Sequence, residues 1–137
     1  MKLSTKYVDI DYALVTRALM ALLFVVAGIN KLIQFKETSG FIGGGLNMPM
    51  PALVTILVIL IEVPVALAFA YGYKIKETGY TLIGFTVLAT LIVHKDYFGA
   101  DMVMVLKNIS IIGGLMAAIA CTCTTCTVHK KKGHQAE

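Results

Sequence analysis

Long apolar runs separated by short polar stretches dominate the hydrophobic pattern of this chain. Four of them stand out, at about residues 13–33, 52–73, 80–93 and 102–121. A helix rises about 1.5 Å per residue, so about 20 apolar residues match a hydrocarbon core roughly 30 Å thick. The third run is the shortest and needs Thr78 and His94 near the two interfaces in order to cross. The pattern predicts an all-α fold, a four-helix transmembrane bundle.

The basic residues predict how this bundle is oriented. Four spans place both termini on one side of the membrane, together with the turn at Lys74. Eight of the twelve Lys and Arg residues fall on that side. Because cytoplasmic loops carry the excess of Lys and Arg, we expect both termini in the cytoplasm. With no convincing signal-peptide cleavage site, the expected location is a plasma (inner) membrane, as a multi-pass protein.

Composition agrees with a membrane protein and narrows its partners. The chain is 58% hydrophobic and 15% charged, with a mean hydropathy of +0.81, which is too apolar for a soluble domain. The net charge of +4 is spread between apolar segments and builds no basic face for nucleic acid. We expect contact with the lipid bilayer, and either a protein partner or a homo-oligomer.

The pattern also divides the chain into three parts. Residues 1–12 are expected to form a cytoplasmic segment, residues 13–121 the membrane domain, and residues 122–137 a cytoplasmic tail rich in Cys and Lys. Between the first two runs, residues 34–50 contain a Gly and Pro cluster that is not expected to form regular helix. This segment is interpreted either as a shaped loop over one end of the bundle or as a flexible linker.

Glu62 is the most informative polar residue, because it lies in the middle of an apolar run. A bare carboxylate near the bilayer midplane costs several kcal/mol. It is therefore expected either to form an ion pair, with Lys107 preferred over Arg17 and Lys31, or to act as a proton-accepting or ligand-binding carboxylate.

Other polar residues within the spans complete a candidate site. Arg17 and Lys31 share one face of the first helix with Phe24, at spacings of seven. Lys31 could instead extend to the nearer interface, and His94 could be merely interfacial. The candidate ligand-binding or intramembrane polar cluster consists of Arg17, Asn30, Lys31, Glu62, His94, Lys107 and Asn108.

Three cysteines follow the last run, at positions 121, 123 and 126. Cys123 and Cys126 form a Cys-x-x-Cys pair that could cycle between dithiol and disulfide. With His129 and His134 nearby, the segment could also hold zinc or copper, but we predict no metal site. The cysteines could instead be lipidated or have no chemical role.

The order and spacing of several short segments resemble the DoxX family of small four-helix membrane proteins. The resemblance covers roughly residues 12–120. It rests on Arg17, the segment from Ala27 to Leu32, the approach from Gly45 to Pro51, Ile61-Glu62, Gly72 before a basic turn, His94 and Asn108. It implies a bundle linked to membrane redox chemistry, with a quinone as the expected ligand.

Two functions of different classes follow from the sequence. The first is a redox-associated membrane subunit that binds a quinone or similar amphipathic molecule between helices, with Glu62, His94 and Lys107 at its polar end. The second is a non-enzymatic assembly component whose charges fix helix register. Proton-coupled transport through Glu62 is a third, for which four short helices leave little room. No haem ligand pair, flavin motif or nucleotide-binding loop indicates an autonomous oxidoreductase.

Overall fold

The protein is helical throughout the part of the chain that the structure describes. The computed structural model describes the backbone of residues 5–94 and 98–133, and the side chains of residues 13–94 and 98–121. Its α-helices are α1 (Thr5–Ile33), α2 (Phe35–Gly40), α3 (Pro51–Leu60), α4 (Ala66–Tyr71), α5 (Ile75–Val93) and α6 (Met102–Gly133). Two π-helical turns complete the fold, Phe41–Gly45 after α2 and Ile61–Val65 between α3 and α4.

Three of these helical stretches are long and apolar enough to cross a membrane. They are Ala13–Ile33, Pro51–Tyr71 and Met102–Cys121, so the prediction of an all-α membrane protein is confirmed. Helix α5 contains the shortest predicted run and is not among the three. It begins at Ile75, before the predicted start of that run, and therefore includes Lys76 and Glu77, whose charges lower its mean hydropathy.

The long helices pack side by side around a small apolar core. Helix α1 packs against α4 and α6, and α5 packs against the same two helices from the other side. The largest apolar side chains in this core are Phe24, Phe69, Leu82 and Leu115, and alanines fill the spaces between them. The outward faces of the helices expose many large apolar side chains, as expected for surfaces that meet lipid.

The second long helix, Pro51–Tyr71, changes neighbours along its length. Its last part, the π-helical turn and α4, packs against α5, whereas its first part, α3, packs against α1 and makes no close approach to α5. The change occurs at Ile61–Val65, where Pro64 lies inside the helix and cannot donate a backbone hydrogen bond. Proline and π-helical turns are the usual places where helices bend. The result is an open space between α3 and α5.

The Gly and Pro segment is more ordered than expected from its composition. Helix α2 and the following π-helical turn include Gly40, Gly43, Gly44 and Gly45, so the prediction that this cluster is not helical is wrong in part. The wide turn is closed by backbone hydrogen bonds from Leu46 to Phe41 and from Met48 to Ile42, both 3.1 Å long. The segment packs on α3 and buries Ile42. Pro51 then opens α3 as its first residue, a position where its missing N–H costs no hydrogen bond.

The turn between the second long helix and α5 is tight. Gly72 ends α4 in the left-handed conformation, with φ of 84°, which suits a residue without a Cβ atom. Lys74 also has positive φ, and α5 starts immediately afterwards. The turn is thus short, and Thr78 already lies in the first turn of α5, where its hydroxyl donates to the carbonyl of Lys74 at 3.0 Å.

A polar pair on the wall of an apolar cavity

Gly28 brings α1 into close contact with the π-helical turn of the second long helix. A Cβ atom placed on Gly28 would lie 2.5 Å from Cγ2 of Val63 and 3.0 Å from Cβ of Glu62. Real Cβ atoms do not approach neighbours this closely, so the backbones can be this near only because the residue is glycine. The close approach places Glu62 directly beside α1.

Lys31 binds the carboxylate of Glu62 from the next turn of α1. Its Nζ donates to both Oε1 and Oε2, each at 2.8 Å. Side chains on a helix lean toward its N-terminus, so Lys31 reaches back to the level of Gly28. The side chain of Glu62 is only 6% exposed and that of Lys31 is 31% exposed. A buried carboxylate therefore meets a cation that still has one open side.

The prediction that Lys107 is the partner of Glu62 is wrong. Lys107 is exposed on α6, and its nearest polar contact is Sδ of Met104, at 3.6 Å. Helix α6 packs on α1 and α5, and in the described part of the chain its backbone makes no close approach to the second long helix. The prediction rested on how deep each residue lies along its helix in the membrane, and this depth does not indicate which helices are neighbours. The partner of Glu62 is Lys31, which was considered both as a possible partner and as a residue that extends to the nearer interface.

The Lys31–Glu62 pair forms part of the wall of a cavity of about 420 Å³. The cavity occupies the space between α3 and α5, and the segment from Thr38 to Met48 closes one end. Most of its lining is aliphatic or aromatic. The polar side chains on its wall are those of Lys31, Thr38, Glu62 and His94. Its volume lies within the range of roughly 300 to 1,000 Å³ that is common for small-molecule sites.

Comparison with known proteins assigns this architecture to a family. The DoxX family model matches residues 12–95, which is more than half of the chain. The chain belongs to the DoxX family. The matched residues include α5, the second long helix, both members of the ion pair and the entire lining of the cavity. No curated protein and no solved structure matches the chain.

His94 is also a lining residue of the cavity in this DoxX protein. It ends α5 in an extended conformation, and its Nδ1 lies 3.4 Å from Oδ1 of Asp101. Asp101 precedes α6, so this contact ties the end of α5 to the start of α6. The sequence singled out His94 but gave no reason to choose Asp101 as its neighbour.

Asn108 has a structural partner outside the cavity. Its Nδ2 donates to Oγ1 of Thr90 at 2.9 Å. Thr90 in turn donates to the carbonyl of Thr86 at 2.7 Å, and Thr86 donates to that of Leu82 at 2.8 Å. This chain of hydrogen bonds joins α6 to α5 and gives the hydroxyl groups of Thr86 and Thr90 acceptors within the helix pair.

The remaining candidate residues are dispersed. Asn30 is exposed on α1, and Arg17 lies beside Gly72, at the opposite end of the apolar span Ala13–Ile33 from Lys31. The side chains of Cys123 and Cys126 lie outside the described residues. Within residues 13–94 and 98–121, no group of three or more His, Cys, Asp or Glu side chains is arranged to hold a metal ion. The structure thus gathers Lys31, Glu62 and His94 around one cavity and leaves Arg17, Asn30, Lys107 and Asn108 elsewhere.

Gly28 and Ala89 are the residues of this region that sequence reasoning missed. Gly28 was noted only as part of a family segment, although a glycine three residues before an intramembrane lysine is a usable signal of close helix packing. Ala89 lies on the cavity wall, where its small side chain leaves room. Nothing in the sequence distinguishes it from the other alanines.

Proposed function

We propose that this DoxX protein binds a quinone or similar amphipathic carbonyl compound in the cavity between α3 and α5, as a subunit of a redox-associated membrane assembly. The observation that carries the proposal is the position of the Lys31–Glu62 pair on the wall of an otherwise apolar cavity. A ligand of this kind has an apolar ring and tail and a few carbonyl acceptors, which is the chemistry that such a wall complements.

Lys31 is the residue suited to bind the carbonyl end of the ligand. A lysine ammonium group has three donors, and Glu62 accepts from Nζ through two oxygens. The third donor has no partner among the residues with described side chains. Because Glu62 fixes the position of Nζ, Lys31 can offer this donor to a carbonyl group in the cavity without losing its counter-charge. His94 provides a second polar contact.

The open side of the cavity suits an apolar tail. Leu57 on α3 and Leu88 on α5 both line it, and they are 53% and 60% exposed. In a bilayer these exposed side chains would face lipid. A hydrophobic molecule dissolved in the membrane would therefore enter sideways between α3 and α5, with its polar end directed toward Lys31.

The proposed topology has four membrane spans, with α5 as the third. Its packing between α4 and α6 supports this, because a helix that lies between two apolar spans shares their environment. The distribution of Lys and Arg then favours cytoplasmic termini and a plasma (inner) membrane. Residues 13–121 form the membrane domain in this arrangement, between the cytoplasmic segment 1–12 and the tail 122–137.

A second candidate function is a non-enzymatic assembly component. The observation that favours it is on α6, where Gly113 has open space beside it and Ala117 is exposed. Gly114, by contrast, already faces Met20 of α1. A face with small side chains allows close approach of another membrane helix. Cysteines introduced at Gly113 and Ala117 would form intermolecular crosslinks if this face meets a second copy.

A matched pair of cavity and surface variants tests the quinone proposal. Ala89→Phe places a ring in the cavity, whereas Ala117→Phe places the same ring on the exposed face of α6. The purified variants would be incubated with a short-chain benzoquinone, and the quinone that remains bound after gel filtration would be measured by absorbance. We expect Ala89→Phe to lose binding and Ala117→Phe to retain it. Equal binding by both would refute the cavity as the site.

Glu62→Gln separates the two functions. The amide keeps the shape of the side chain but removes the charge that holds Lys31. Loss of quinone binding in a variant that remains folded and monodisperse supports the ligand site. Loss of folded protein alone supports a structural pair. Unchanged binding and unchanged stability would contradict both roles.

A further inference from the structure

Arg17 is a half-buried cation without a described acceptor. Its Nε is enclosed and has no hydrogen-bond partner among the residues whose side chains are described. An arginine keeps its charge at all relevant pH values and has five donors. Since nothing bonds its inward edge, the acceptor that compensates this group has to approach the two Nη atoms.

The Nη edge lies over the turn at Gly72. A Cβ atom placed on Gly72 would be 3.7 Å from Nη2 and 3.8 Å from Cζ of Arg17, and glycine leaves this space without a side chain. The nearby carbonyls of Ala68 and Phe69 already accept from the N–H groups of Tyr73 and Gly72, at 2.9 and 3.1 Å. Two carbonyls at this turn are therefore already bonded within the backbone beside the guanidinium group.

The surroundings of this turn have the character of a membrane surface. Lys74 and Lys76 are exposed, and Nζ of Lys74 lies 5.7 Å from the centre of the Tyr73 ring. Tyr71 is 86% exposed, and exposed tyrosines are typical of the level of lipid head groups. Positive charge and aromatic rings are thus placed together at one end of the second long helix.

We propose that Arg17 binds the phosphate of an anionic phospholipid at this turn, with Lys74 and Lys76 contributing positive charge around it. The planar fork of the Nη groups matches two phosphate oxygens. An anionic lipid adds attraction to the neighbouring lysines, which a zwitterionic lipid lacks. This site lies at the opposite end of the apolar span Ala13–Ile33 from the cavity, so it stands whether or not a quinone binds there.

Native mass spectrometry of the detergent-solubilised protein with defined lipids tests the proposal. Phosphatidylglycerol and phosphatidylcholine with the same acyl chains would be titrated separately. The wild type is expected to retain phosphatidylglycerol preferentially, and Arg17→Gln is expected to weaken this binding about tenfold, the loss typical of one charge-assisted contact. Lys107→Gln removes an exposed cation from another helix and is expected to leave binding unchanged.

Three results would overturn the assignment. The first is equal retention of the two lipids by the wild type, and the second is an equal loss of lipid binding in Arg17→Gln and Lys107→Gln. The third is displacement of the lipid by millimolar inorganic phosphate, which would indicate that the site binds a soluble phosphate ester instead. If Arg17→Gln does not fold, Arg17→Lys is used, because lysine keeps the charge but lacks the two coplanar Nη groups. This variant is expected to bind phosphatidylglycerol more weakly than the wild type. Wild-type affinity in that variant would refute recognition by the guanidinium group.

Discussion

The two ends of the apolar span Ala13–Ile33 of α1 carry cations with opposite surroundings. Arg17 and Lys31 lie on the same face as Phe24, which is buried in the core, and they are about 21 Å apart along the helix. Lys31 meets a buried carboxylate on the second long helix. Arg17 meets a glycine turn, and its Nε has no acceptor among the described side chains. Similar sequence positions thus produce an internal ion pair at one end and a site for an external anion at the other.

Among the substitutions that test this comparison, removal of Lys31 is expected to cause the largest loss of stability. Lys31→Met leaves Glu62 buried and unpaired, which should lower the free energy of unfolding by about 3 kcal/mol. Unfolding by SDS in mixed micelles, followed by helicity, measures the change. Lys107→Met is the matched control, since Lys107 is exposed, and it should change stability by less than about 0.5 kcal/mol.

The double variant Lys31→Met with Glu62→Leu checks that this loss comes from the pair. Removal of both charges leaves no unpaired ion, so most of the stability should return. If the two substitutions together cost as much as their sum, the ion pair is not the reason for the loss.

Gly28→Ala tests the close contact that allows the pair to form. The added methyl group would lie 2.5 Å from Cγ2 of Val63, so α1 has to move away from the π-helical turn, at an expected cost of about 2 kcal/mol. Gly113→Ala is the control, because nothing lies within 4 Å of its Cβ position. It should gain up to about 1 kcal/mol from helix propensity. Stability losses of the same size in both variants would show that the contact at Gly28 is unimportant.

Arg17 should matter much less for stability when no anionic lipid is present. Because no described group accepts from its Nε and the proposed partner of its Nη groups is an external anion, Arg17→Gln in zwitterionic detergent is expected to cost less than about 1 kcal/mol. The same unfolding measurement applies. A loss as large as that of Lys31→Met would mean that Arg17 has a strong internal partner, and it would remove the contrast between the two ends.

The smallest expected effect concerns Asn108. A double-mutant cycle of Asn108→Ala and Thr90→Ala should give a coupling energy of about 0.6 kcal/mol, the average for a hydrogen bond between membrane helices. Neither substitution should alter quinone binding, because neither residue lines the cavity. Zero coupling would contradict the hydrogen bond, and loss of quinone binding would extend the site to α6.

The sequence predicted the helices well because the apolar runs carry that information directly. Three runs became candidate spans. The Gly and Pro segment was misjudged because composition cannot indicate that a wide π-helical turn accommodates several glycines. The start of α5 was placed too late, since its first turn is polar.

The site was only partly predictable, because the depth of a residue along its helix does not indicate which other helices lie beside it. Lys31, Glu62 and His94 were selected as candidates and all line the cavity. The preference for Lys107 failed because α6 packs away from Glu62, and the cavity itself depends on the separation of α3 from α5. That separation arises at Pro64 and is visible only in three dimensions.

Photo-crosslinking with an azido-benzoquinone tests the central claim most directly. The protein would be illuminated with the probe in native-like membranes, and the labelled peptides identified by mass spectrometry. The account predicts labels on the cavity walls, at residues 54–62 of the second long helix and at residues 85–94 of α5 and its C-cap His94. It also predicts loss of labelling in Ala89→Phe but not in Ala117→Phe. Labels confined to the exposed face of α6, or labelling unchanged in Ala89→Phe, would contradict it.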